Sequence, residues 1–172
     1  TTPSPMIMLG RYIKDRDPLA RVVFIGPCVA KKREFHLGRT RSSVDLVVTF
    51  EELYAMMAAK DIDVTKMPEA PLDHASGYGR SFAASGGVAA AVAQGLKEMG
   101  STVEARTLPC SGIEECRIAL LKMSKGLLPE NFIEGMACQG GCVQGPAVIM
   151  RSPKNKVEVG KHAKQAGERT IS

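Results

Sequence analysis

Apolar residues fall along this chain in short blocks separated by glycine, proline and charge. The run from Arg21 to Cys28, RVVFIGPC, is β-branched and stopped by Gly26-Pro27. That is the pattern of a buried strand delivering Cys28 at its C-terminal end. Val44 to Phe50, VDLVVTF, reads as a second strand. Thr49, with Glu52 three residues on, has the form of a capping box and opens a helix through EELYAMMAAKD. Residues 63–80, punctuated by Pro68, Pro71, Gly77 and Gly79, read as a loop. Ser85-Gly86-Gly87 then opens an Ala/Val-rich helix that ends at Gly95 or Gly100. Thr102 to Leu108 suits a strand. Ser111 to Lys125 is amphipathic, with Ile113, Cys116, Ala119, Leu120 and Met123 near helical period. Asn131 to Cys138, NFIEGMAC, is a last short buried strand, and it runs into a glycine-rich segment.

Strand, loop and helix alternate, so the expected class is α/β with a mostly parallel sheet flanked by helices. In such sheets ligands gather beyond the carboxyl ends of strands, which is where Cys28 and Cys138 fall. Residues 1–150 read as one α/β lobe. Residues 151–172 turn polar and read as a C-terminal tail holding a peripheral strand or a frayed helix.

Composition narrows the partners. The 172 residues are 44% hydrophobic and 24% charged, values that suit one globular domain or one lobe of a larger one. No apolar run is long enough for a membrane span. The N-terminus lacks the charged leader and cleavage pattern of a secretory signal, so a cytoplasmic setting is expected. The net charge of +5 invites a nucleic-acid reading. The basic residues are scattered, however, apart from Lys31-Lys32-Arg33 and Arg39 to Arg41. Aromatics are 5% of the chain and Trp is absent, so stacking platforms are scarce. Neither nucleic acid nor membrane is an expected partner.

The cysteines carry the chemistry. There are five, at 28, 110, 116, 138 and 142. Without a secretory signal, metal or redox use outranks a disulfide framework. Cys138 and Cys142 lie four apart in EGMACQGGCVQGP, a spacing that puts two thiolates on one face of a helix and lets them share a metal centre. Gly140, Gly141 and Gly145 let the backbone approach a bulky group and aim N–H groups at it. Structural zinc sites favour pairs with two-residue spacers, which this chain lacks, so iron–sulfur ranks above zinc. The plain alternative is two small buried cysteines. Cys28 sits in GPCVAKKRE. Lys31 can return over the same turn and bring a cation to an anionic cluster, and Glu34 can pair with it. Three cysteines supply three ligands where a cubane cluster needs four. Cys116 reads as core and Cys110 as a loop thiol, while His36, His74 and His162 read as surface or loop residues.

GPCVAKKRE resembles the second cysteine signature of [FeFe] (iron-only) hydrogenase large subunits, Met-Pro-Cys-x-x-Lys-x-x-Glu. EGMACQGGCVQGP resembles the third, Glu-x-Met-Ala-Cys-x-Gly-Gly-Cys-x-x-Gly. SFAASGGVAAAV and SPMIMLG are similar to a glycine-rich segment and a Ser-Pro-Gln-Gln-Met stretch of that family, in the same order. The resemblance implies one lobe of the iron-only hydrogenase catalytic fold, binding the H-cluster for reversible proton reduction and dihydrogen oxidation. It implies that Cys28, Cys138 and Cys142 hold the [4Fe-4S] part, with Cys142 bridging to a diiron subsite. Lys31 would hydrogen-bond a cyanide ligand, with Glu34 as its catalytic companion. Ser4, Pro27, Phe82, Ala83 and Met136 would line the diiron pocket. Expected partners are dihydrogen and protons, a redox partner or upstream iron–sulfur domain, and maturation proteins.

The family's first signature, Thr-Ser-Cys-Cys-Pro, lies upstream of its Ser-Pro stretch and is absent here. The chain is therefore expected to be a C-terminal part cut after that signature, without the fourth ligand and inactive alone. Gly26 stands where the family has Met, Met6 where it has Gln, and VQGPAV replaces a denser glycine ending. These departures suggest a divergent, sensory-type branch. A zinc-stabilised interaction domain is the remaining alternative.

Overall fold

The computed structural model describes residues 3–71 and 74–171. They form two compact units, residues 1–68 with 146–150 and residues 69–145 with 151–172.

The first unit opens with helix α1, Pro5–Arg16. Ser4 is its N-cap and accepts from the Ile7 N–H, while Pro5 fills the first turn, where a missing N–H costs nothing. Strand β1, Val23–Gly26, is followed by the short helix α2, Ala30–Glu34, and by strand β2, Leu46–Thr49. The two strands are parallel, with Val23 opposite Leu46 and Gly26 opposite Thr49. Helix α3, Phe50–Ala58, starts with the expected capping box: the Thr49 hydroxyl accepts from the Glu52 N–H and the Glu52 carboxylate accepts from the Thr49 N–H. The core comprises Met6, Ile7, Val44 and Val47, with Val22, Phe24 and Phe35 packed on it. Gly10 lets α1 approach this core, because a Cβ there would run into the Ser43 carbonyl.

The second unit carries α4 (Gly77–Arg80), α5 (Gly87–Glu98), β3 (Thr107–Ser111), α6 (Ile113–Ser124), β4 (Phe132–Met136) and α7 (Lys154–Lys164). Strands β3 and β4 are parallel, with Cys110 opposite Gly135, and α6 is their crossover. Side chains alternate across β4. Glu134 turns to α5, whereas a Cβ on Gly135 would lie 3.3 Å from the Cys116 thiol of α6. Helices thus cover both faces.

The α/β class with parallel strands is as expected, and among the described residues the strands form two separate pairs. Local corrections follow from packing. The strand expected at 102–108 begins only at Thr107 and runs on through Pro109 to Ser111. Asn131 instead holds the segment before it, bonding the Glu104 carbonyl and the Arg106 N–H. The stretch read as a loop over 63–80 contains a 3-10 turn, Val64–Lys66, capped by Asp63, and α4, capped by Ser76. Residues 72 and 73 of that stretch lie outside the described residues. On α6, Ala119 is buried and Cys116 partly so, but Ile113 and Leu120 are exposed. The 151–172 segment holds a regular helix, α7, and the Arg80 guanidinium donates to its His162 carbonyl. Among the described residues no helix is long and apolar enough to cross a membrane.

Candidate metal centre

In the second unit the chain leaves β4 at Met136 and turns through Cys138, Gly140 and Gly141 before a 3-10 turn, Cys142–Gln144. No helix carries both cysteines, contrary to the expectation from their spacing. Gly140 and Gly141 instead take positive φ values of 83° and 93°, a region open to glycine at little cost, and reverse the chain between the two thiols.

This loop is interlocked with residues 83–86. The Val143 N–H donates to the Ala83 carbonyl at 3.0 Å, and the Ser85 N–H reaches the Gly140 carbonyl at 3.4 Å. A Cβ on Gly141 would stand 2.7 Å from the Ala83 carbonyl oxygen and 2.6 Å from the Ser85 nitrogen, so only glycine fits. The Gly140 N–H donates to the Ser111 hydroxyl at 2.6 Å. Ala83, selected by resemblance alone, therefore belongs to the segment that backs the cysteine loop, and Phe82 directly precedes it. Met136 ends β4, and its carbonyl accepts from the Gly112 N–H.

In the first unit Cys28 follows β1 and precedes α2, partly buried. The Pro27 carbonyl accepts from the Ala147 N–H at 3.2 Å. Lys31 and Glu34 form the expected pair, with ammonium and carboxylate 2.5 Å apart and both side chains about three-quarters buried (23% and 25% exposed). Burial pushes the Glu34 carboxyl up. Hydrogen bonds from Lys31 and from the Ser4 hydroxyl, with the charges of Lys31 and Arg39, outweigh that effect and hold it below the usual carboxylate range. Ser4, Lys31 and Glu34 are thus brought together. Ser4 and Glu34 open on a cleft of about 210 Å³ that Arg11, Arg39 and Thr40 also line.

None of the five cysteines is in a disulfide. Burial, then the nearby Cys116, Glu115 and Glu134, push the Cys110 thiol up, which suits a packed thiol rather than a ligand. Cys138 and Cys142 are partly exposed on either side of the left-handed Gly140 and Gly141, and thiols are a donor type that suits a soft iron–sulfur group; Cys28, in the other unit, is also partly exposed. Among the described residues no group of three or more His, Cys, Asp or Glu side chains is gathered to hold a metal ion.

Sequence reasoning missed Glu134, whose buried carboxylate accepts from the Gly86 and Ala89 N–H groups at the start of α5. The available signal was a charge inside an apolar strand, NFIEGMAC. It also missed Ser85, whose backbone N–H reaches Gly140, and Ser111, whose hydroxyl accepts from the Gly140 N–H; neither contact carries a sequence pattern.

Short parallel strand pairs flanked by helices define the class, an α/β protein with cysteines following two of its strands. The chain belongs to the family described as "Iron only hydrogenase large subunit, C-terminal domain", which it matches over residues 1–146. Iron hydrogenase 1 of Clostridium pasteurianum is 28% identical over 175 aligned residues, covering 81% of this chain and 30% of that protein. The periplasmic [Fe] hydrogenase large subunit of Nitratidesulfovibrio vulgaris is 28% identical over 158 residues, covering 72% of this chain and 37% of that one. The chain thus spans about a third of the length of these relatives. Its fold also matches an [FeFe]-hydrogenase structure that addresses oxygen damage to the H cluster 2Fe subcluster. The TM-score is 0.65 at 19% identity, over 99% of this chain and 60% of that one.

Proposed function

We propose that this chain is the part of an iron-only hydrogenase large subunit that contributes Cys28, Cys138 and Cys142 to the [4Fe-4S] component of an H-cluster, in a cytoplasmic setting where thiols stay reduced. Family membership supports the reading, and the cysteine loop locked against 83–86 is the observation that carries it. When bound, the cluster with its diiron subsite supplies reversible conversion of protons and electrons to dihydrogen.

The protein's own residues bind and orient. Cys138 and Cys142 offer thiolates from a backbone that cannot splay, because Gly141 is pressed on Ala83 and Ser85. Lys31 brings an ammonium group that its ion pair with Glu34 holds in place. The Ser4 hydroxyl holds Glu34 in turn. Pro27, Phe82, Ala83 and Met136 would line the diiron pocket. Dihydrogen, a redox partner and maturation proteins are the partners this role requires.

A non-catalytic hydrogen- or redox-sensing module of the same fold is the second reading. It is favoured by Gly26, Met6 and Pro146, which depart from the family signatures. Hydrogen–deuterium exchange by the matured, full-length large subunit separates the two. Exchange by that parent is expected under reducing conditions. A complete H-cluster with no exchange at any potential would overturn the enzymatic reading and leave the sensory one.

A further inference from the structure

We infer that Glu134 is the positioning residue of the cysteine loop: its buried carboxylate pins the first turn of α5, and with it the 83–86 strip on which Cys138 to Val143 is folded. Glu134 is 5% exposed. Its two oxygens are used separately, one accepting from the Gly86 N–H at 3.1 Å and the other from the Ala89 N–H at 3.1 Å. Both donors belong to the start of α5, whose N-cap is Gly86, with φ 94° and no side chain to offer. The positive end of the helix offsets the carboxylate charge.

A serine or aspartate at the N-cap would satisfy the helix without burying a charge in a neighbouring strand. A local cap, though, holds only its own helix. A carboxylate reaching over from β4 ties strand to helix, four residues before Cys138. Beyond Gly86 the tie continues backwards into the loop through Ser85 to Gly140, Ala83 to Val143, and Gly141 packed on both. Ser111 holds Gly140 from β3. The backbone between Cys138 and Cys142 is therefore fixed on one side by a strip whose place Glu134 sets. Glu134 acts through this strip and takes no part in chemistry.

The test uses reduced, metal-free protein and reads iodoacetamide alkylation at each cysteine by mass spectrometry. Glu134→Ala is expected to raise the rates at Cys138 and Cys142 about tenfold, the effect of losing one or two charge-assisted bonds, while Cys28, in the other unit, is unchanged. Glu134→Gln keeps one acceptor and should fall between. If Cys28 rises in parallel, or if neither loop cysteine changes, the inference is overturned. Should Glu134→Ala fail to fold, the same comparison in Glu134→Gln decides. A second readout rests on the cluster reading: Glu134→Gln should take up less iron on anaerobic reconstitution than the parent chain. A parent chain that takes up none would refute that reading and leave the alkylation result standing.

Discussion

Lys31 and Glu34 show how a single pair of side chains links sequence to chemistry. Their spacing of three on a helix turn is visible in GPCVAKKRE, and the structure joins them. The hydroxyl that completes the arrangement, Ser4, lies thirty residues away, so no local pattern announces its contact with Glu34. Because the folded pKa of Glu34 is depressed, the pair contributes stability above the unfolded carboxylate value of about 4.3 and loses it as pH falls through the folded value. Replacing Lys31 with Met should lower unfolding free energy by about 0.5–1 kcal/mol near neutral pH. In urea melts from pH 3 to 7 this deficit should shrink towards zero at the acid end. A deficit that grows on acidification would contradict the assigned pairing.

Elements were legible where the deciding signal is local. Thr49 and Glu52 define the start of α3 by the reciprocal bonds their side chains make, and Thr49→Ala should cost about 1 kcal/mol in thermal or chemical melts. Ser4-Pro5 is an equally good start signal for α1, but taken only as part of a family resemblance it left α1 unassigned. Register at β3 was less legible, since Pro109 ordinarily demotes a strand. It is tolerated here on an exposed position of a two-stranded pair, where its missing N–H breaks no ladder bond. The cysteine loop was the hardest to read. Spacing of four suggested a helix face, whereas two left-handed glycines make a reversal. Gly141→Ala combines strained φ with backbone clashes and should destabilise the protein by about 2–4 kcal/mol. Gly38→Ala, with no atom within 4 Å of its Cβ, should be within about 0.5 kcal/mol of neutral in the same melts.

At the scale of the molecule, α/β alternation gave the class, but apolar runs do not say how strands assort into sheets or which face is covered. Val23 and Ile25 belong to a run that reads as buried, and they are 48% and 45% exposed. The Lys31–Glu34 pairing and the place of Ala83 against the cysteine loop are legible in the sequence. The contacts of Glu134, Ser85 and Ser111 are not, because their partners are backbone groups far along the chain. The proposed ligand set, Cys28, Cys138 and Cys142 with Cys110 and Cys116 packed inside, is tested by iron and labile-sulfide content after anaerobic reconstitution, with each cysteine replaced in turn by serine. The unaltered chain is expected to take up both iron and sulfide. Replacement at 28, 138 or 142 should sharply reduce uptake, and replacement at 110 or 116 should leave it intact. Stoichiometric zinc without iron or sulfide, or loss of uptake on replacing Cys110 or Cys116 alone, would contradict it.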